Sequence, residues 1–223
     1  VSESPASAAR AVAVPPSRTI RELASVVTGD DGVARCGWAG TDAEYTRYHD
    51  EEWGTPLHGD RPLFEKISLE GFQAGLSWIT ILRRRENFRA AFHGFDIARV
   101  AALTPAEADE LMLDTGIIRN RAKIEATIGN AAITLGLVRD HPGALDELLW
   151  SFAPSPRAAP PATLADIPAV TPESTAMSRA LRALGFRFVG PTTLYALMQS
   201  SGMVDDHVAG CFRAAEAGAV GAA

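Results

Sequence analysis

No stretch of this chain alternates apolar and polar residues over the length of a strand, while helix-opening signals recur along it. That combination constrains the fold more than any other feature, because a period of 3.6 residues and a period of 2 bury different faces. Thr104-Pro105-Ala106-Glu107 has the form of a capping box, with a hydroxyl cap, Pro in the first turn and Glu at the third position. It predicts a helix over 104–113, a turn at Asp114-Thr115-Gly116 and a second helix over 119–135. Thr171-Pro172-Glu173 opens another helix, stopped by Gly185, and Gly190-Pro191-Thr192 opens one more, reaching about Ser200. Leu63, Phe64, Ile67, Phe72 and Leu76 fall near helical spacing. The body therefore reads as mostly helical.

With 223 residues, 47% hydrophobic and 22% charged, the chain can bury a core without staples. No run of eighteen apolar residues occurs, which argues against a membrane-spanning helix. The first twenty residues lack a basic-then-apolar signal pattern, so secretion is not expected. A net charge of −6 excludes a uniformly basic nucleic-acid coat but permits a local basic face. Residues 1–34 read as a mobile leader with a short helix around 20–27, residues 35–213 as the folded body, and 214–223 as a frayed tail. Six of the 14 prolines lie in 153–172, which predicts a long exposed loop.

Two cysteines and five histidines leave few metal-binding sets. Cys36 stands thirteen residues before His49, and His207 four before Cys211. On a helix the latter pair shares a face, with Asp205 as a cap. The four together would complete the closed tetrahedral shell of a structural zinc, which contributes folding energy rather than chemistry. Two plainly buried cysteines with satisfied histidines, or a Cys36–Cys211 disulfide, remain open on spacing alone.

Glu70 shares a helical stripe with Leu63, Ile67 and Ala74, so it either lines a cavity or sits at the edge of a core helix. Trp38, Tyr45, Tyr48, Trp53 and Trp78 surround it in sequence. Singly, such rings are core; together they can stack on a planar, cationic guest that a nearby carboxylate favours. The turn at Gly116 would present free amides at a helix start, with Arg119, Arg121 and Lys123 adding positive charge, an arrangement suited to phosphate as well as to a solvated turn. A second basic cluster is Arg83-Arg84-Arg85, and the only lysines are Lys66 and Lys123.

Four runs then resemble, in order, the DNA-3-methyladenine glycosylase I (TAG) family: RCGWAGTDAEYTRYHDEEWG (35–54), SLEGFQAGLSWITILRRRENFRAAF (68–92), TGIIRNRAKIEATIGNA (115–131) and GFRFVGPTTLYALMQSSGMVDDHVAGC (185–211). The resemblance implies an all-α, helix-hairpin-helix glycosylase-like fold of two lobes. Its hairpin lies at about 111–125, and its N- and C-terminal segments are pinned by one zinc on Cys36, His49, His207 and Cys211. It implies Glu70 as the lesion-binding, catalytic carboxylate, and Tyr48, Trp78, Tyr45 and Trp38 as the substrate-binding rings. Gly116, Arg119 and Arg121 would contact DNA. The implied activity is monofunctional: hydrolysis of the N-glycosidic bond of N3-methyladenine in alkylated double-stranded DNA, the first step of base excision repair, by a monomer in the bacterial cytoplasm.

Two departures bear on mechanism. The wider superfamily's Gly-hydrophobic-Gly is Gly116-Ile117-Ile118 here, and Asn120 stands where strand-cleaving relatives carry lysine, so no Schiff base is expected. Val138 falls about where other monofunctional relatives place an aspartate, with Asp140 two residues beyond, and neither is assigned as a base. A zinc hydrolase that frees one ligand position, and a non-catalytic sensor of alkylated DNA, are the competing readings.

Overall fold

The computed structural model describes residues 24–217, and it begins with a small antiparallel hairpin rather than a helix. Strand β1 (Val26–Thr28) pairs with β2 (Ala34–Cys36) in the register Val26↔Cys36, Val27↔Arg35 and Thr28↔Ala34. Of the helix expected over 20–27, residues 20–23 lie outside the described residues and Val26 and Val27 are extended. The β-branched run favours strand, and Asp31 closes the turn by accepting from the Val33 amide at 3.0 Å. The hairpin thus crosses the boundary drawn at 34/35. Strands of three residues are too short to show alternation, which is why the reading as purely helical missed them.

Eleven α-helices follow among the described residues: α1 (Ala43–Glu51), α2 (Asp60–Gln73), α3 (Trp78–Leu82), α4 (Arg85–Ala91), α5 (Ile97–Ala101), α6 (Pro105–Leu111), α7 (Arg121–Val138), α8 (Ala144–Trp150), α9 (Pro172–Ala183), α10 (Pro191–Ser200) and α11 (Phe212–Ala217). Both expected caps form. Thr104 and Glu107 bond each other's backbone at the start of α6, and Thr171 does the same with Ser174 at α9. Asn120, rather than a residue at 119, caps α7 by accepting from the Lys123 amide at 3.2 Å. α11 reaches into the segment expected to be a frayed tail.

Buried along most of its length from Leu63 to Phe72, α2 packs against α3, α7, α8 and α10. Phe72, Phe88, Phe92 and Phe95 form a continuous aromatic core, with centroids 4.6 Å apart for Phe72–Phe88 and 5.6 Å for Phe92–Phe95. Each such ring contributes about 1.5–3 kcal/mol by leaving water. A second, smaller core joins Cys36, Leu164, Val208, Cys211 and Ala214. It fastens the hairpin and the proline-rich loop to the C-terminal segment. That loop is less exposed than expected: Pro161 and Leu164 are buried, the Pro161 carbonyl accepts from the Ala209 amide at 2.8 Å, and Arg157 reaches buried Asp206 at 3.0 Å. Among the described residues, no helix is long and apolar enough to cross a membrane.

Candidate functional site

The second core carries three metal-competent side chains. The ligand atoms of Cys36, His49 and Cys211 all lie within 4.8 Å of one another, and all three residues are buried. Cys36 closes β2 and His49 sits on α1, while Cys211 arrives from the far end of the chain and brings its Sγ to 3.4 Å from His49 Nε2. Both cysteines are free thiols, so the disulfide reading is not realised. Their mutual hydrogen bond pulls Cys211 below the ordinary thiol range, and with burial it pushes Cys36 up.

His207 and Cys211 do not share a helix. Residues 203–211 are irregular although Asp205 accepts from the His207 amide at 3.0 Å and meets Nδ1 at 2.8 Å as a cap would, because the Ala209 amide, which a helix would turn back to Asp205, donates to the Pro161 carbonyl at 2.8 Å and Gly210 takes a φ of 90°. His207 still faces the cluster, with its ring 5.2 Å from that of His49, although it is not part of the set within 4.8 Å. Its Nε2 is buried without a partner. His49 Nδ1 meets Asp50 at 2.8 Å. Each imidazole therefore has a carboxylate on one nitrogen and turns the other inward, the orientation such partners impose on metal-binding histidines. Two thiols and two imidazoles so arranged suit zinc. Gly54, at φ 76°, makes room for this packing, since a Cβ there would lie 2.6 Å from His207 Cε1.

The rings expected to form one wall come together next to this cluster. Asp42 caps α1 through the Tyr45 amide at 3.0 Å and so sets the pitch of Tyr45 and Tyr48. Ring centroids are 5.1 Å apart for Trp38–Tyr45, 6.5 Å for Tyr45–Tyr48 and 5.5 Å for Tyr48–Trp78. Glu70 of α2 is only 3% exposed. Its Oε1 accepts from Ser200 Oγ of α10 at 3.0 Å, and its Oε2 has no partner. Burial raises Glu70 from 4.5 to about 7, against the opposing pull of Lys66 and Ser200. Its charge adds to burial in holding Tyr45 up at about 12, so acid and rings share one electrostatic environment. Trp78 Nε1 is a second buried group without a partner. An unpaired donor and an unpaired acceptor in one aromatic cluster each cost about 1–3 kcal/mol until something bonds them.

A cleft of about 570 Å³ opens beside this cluster, lined by Trp78, Lys66, Ser200, Arg61, Arg85 and Glu52 among others. Tyr48 and Glu70 stand behind that lining, Tyr48 against Trp78 and Glu70 against Ser200. Sequence reasoning gave Ser200 no role and named Lys66 only as one of two lysines. The only signal for Lys66 was its place one turn before Glu70.

The turn between α6 and α7 holds Gly116 through two contacts: its amide donates to Asp114 Oδ1 at 2.7 Å, and its carbonyl accepts from Asn87 Nδ2 at 3.3 Å. Arg119 is exposed, with no ion pair among the described residues. Arg121 is exposed but bonded to Asp109 and within 3.6 Å of Glu125. Lys123, grouped with the surface charges above, is turned inward instead: its Nζ donates to the carbonyls of Phe72 at 2.8 Å and Ala74 at 2.7 Å, capping the end of α2. In the triple-arginine run, Arg83 bonds Asp42 and Arg85 bonds Glu52.

A model of the methyladenine glycosylase family matches residues 38–214, and the chain belongs to that family. It is 49% identical over 178 residues to DNA-3-methyladenine glycosylase 1 of Escherichia coli (strain K12), an alignment covering 79% of this chain and 95% of that protein. Among solved structures it is similar to 3-methyladenine DNA glycosylase I (TAG), with TM-score 0.77, 47% identity, and 80% of this chain and 98% of that one covered. The Staphylococcus aureus enzyme, whose structure addresses 3-methyladenine recognition, gives TM-score 0.76 at 32% identity, with 81% and 96% covered.

Proposed function

We propose that this chain excises N3-methyladenine from alkylated double-stranded DNA by hydrolysing its N-glycosidic bond, the first step of base excision repair. One observation carries the reading: a buried carboxylate, Glu70, keeps one oxygen unpaired within a cluster of four aromatic rings. Such a site favours a flat guest that brings hydrogen-bond donors and positive charge. Methylation at N3 gives adenine both that charge and a weakened bond to the sugar, because the base then departs neutral.

Taking the nucleotide out of the stack costs a few kcal/mol, least for a damaged base. The Gly116 turn, with Arg119 and Arg121, grips phosphates without reading sequence, in the manner of a helix-hairpin-helix element over about 111–125. The base stacks on Trp78 and Tyr48, with Tyr45 and Trp38 completing the wall, and Glu70 accepts hydrogen bonds from the adenine edge. Attraction between cation and rings contributes about 0.5–2 kcal/mol, which sets the methylated base apart from the neutral one. Water then takes the sugar carbon as the neutral base leaves. Asn120, engaged as the cap of α7, offers no amine to the sugar, so no strand cleavage accompanies excision.

Cys36, His49, His207 and Cys211 would hold one structural zinc. Bound there, it supplies a covalent tie between the two ends of the fold rather than chemistry on the base. In this reading the family domain works as a monomer in the bacterial cytoplasm. The test is chromatography of purines released from N-methylated duplex DNA. Free 3-methyladenine without strand breaks is the expected result. Binding without release would make the chain a sensor of alkylated DNA and overturn the enzymatic reading.

A further inference from the structure

Lys66 has no part in the chemistry described so far, yet it is one of the most unusual residues in the fold. It lies on α2 one helical turn before Glu70 and is only 8% exposed. Its Nζ stands 5.3 Å from the centre of the Tyr48 ring and 5.5 Å from that of Trp78, the two rings assigned to the base. Among the described residues this ammonium has no hydrogen bond or ion pair, whereas the other lysine, Lys123, donates to two carbonyls. A buried cation held only by ring faces and by charge at a distance is costly, and its position on the cleft wall gives it a reason to be there.

We propose that Lys66 is a positioning residue of this site: its ammonium, seated over Tyr48 and Trp78, is the resident counter-ion of the Glu70 carboxylate while the pocket is empty. The proposal rests on the glycosylase reading for what the pocket receives, but not for the electrostatics. Glu70 is faced by Lys66 from its own helix, by the hydroxyls of Tyr45 and Tyr48 from α1, and by Ser200 from α10. Lys66 is the single cation in that set. Lys66 itself is faced by Glu70 and Glu65 from α2, by Glu52 beyond α1, and by Arg85 of α4, which is itself bonded to Glu52. Burial draws Lys66 below the ordinary lysine range while the three carboxylates oppose that. The ammonium borders the cleft, so it withdraws into water when a cationic base takes its place over the rings.

The test follows the Glu70 carboxyl by carbon NMR across pH in the zinc-loaded full chain without DNA, beside the pH profile of kcat/KM for base release. In Lys66→Met the Glu70 midpoint should rise by about one pH unit, and the acid limb of kcat/KM should move up with it, so that activity lost near neutrality returns in alkali. Lys66→Arg should restore the wild-type midpoint. Lys66→Gln carries the same expectation as Lys66→Met and replaces it should the latter not fold. An unmoved Glu70 midpoint in a folded Lys66→Met or Lys66→Gln protein overturns the proposal, as does an equal loss of activity at every pH. If the wild-type chain releases no base, the functional reading falls, and the carboxyl titration still decides the role of Lys66.

Discussion

Changing Glu70 to Gln should strengthen the fold in alkali while abolishing base release. The substitution preserves shape and the acceptor for Ser200 Oγ but removes the titrating proton. In the folded chain Glu70 titrates at about 7, against 4.5 for an ordinary glutamate. A group whose folded value is raised lends its full contribution below the unfolded value and loses it as pH climbs through the folded one. Between pH 4.5 and 7 the wild type therefore gives up about 3 kcal/mol that the amide does not. Thermal melts of both proteins at pH 5 and pH 8.5, zinc-loaded, should show the variant gaining about 6–12 °C relative to wild type on going to the higher pH. Titrating groups that do not feel the Glu70 charge are common to the two proteins and cancel in that difference. A Tm difference that is the same at both pH values would refute the claim that Glu70 is held in a desolvated site.

Three further outcomes follow from the geometry. Gly54→Ala, with a Cβ 2.6 Å from His207 Cε1 at a φ of 76°, should displace that imidazole and lower both Tm and bound zinc, measured by melting and metal analysis. Chelation of the wild-type protein should lower Tm while Cys211→Ala should already be destabilised and respond little, since the same tie is missing. Arg119→Ala should weaken binding to any duplex by a similar factor and reduce the slope of log affinity against log salt by about 1, with no change in which base is released.

What the sequence disclosed and what it withheld divide along one physical line. The caps at Thr104 and Thr171 were legible because a capping box involves residues three positions apart. Glu70 stood out because an acid on an apolar stripe is a local contradiction. The unpaired state of its Oε2 was not legible, since that depends on Ser200, 130 residues away. The helix expected for His207 and Cys211 failed for a reason that spacing hides: the Ala209 amide is taken by the Pro161 carbonyl from the proline-rich loop, and Gly210 turns the chain at a positive φ. Lys123 was counted as surface charge and proved to cap another helix, and Lys66, noted only as one of two lysines, gave no hint of its place because its neighbours are rings brought in from α1 and α3. Charge on its own carries no address; only the assembled fold says whether a cation meets water, a carbonyl or a ring.

The contact between Cys211 and His49 spans 162 positions of chain. A ribosome has therefore made nearly the whole body before that junction can form. Helix α1, which bears Tyr45 and Tyr48, has until then its contacts to the neighbouring segment 78–85, and long-range closures of this kind come late in folding. A chain ending before Cys211 would carry the rings but lack the junction that ties their helix to the C-terminal segment.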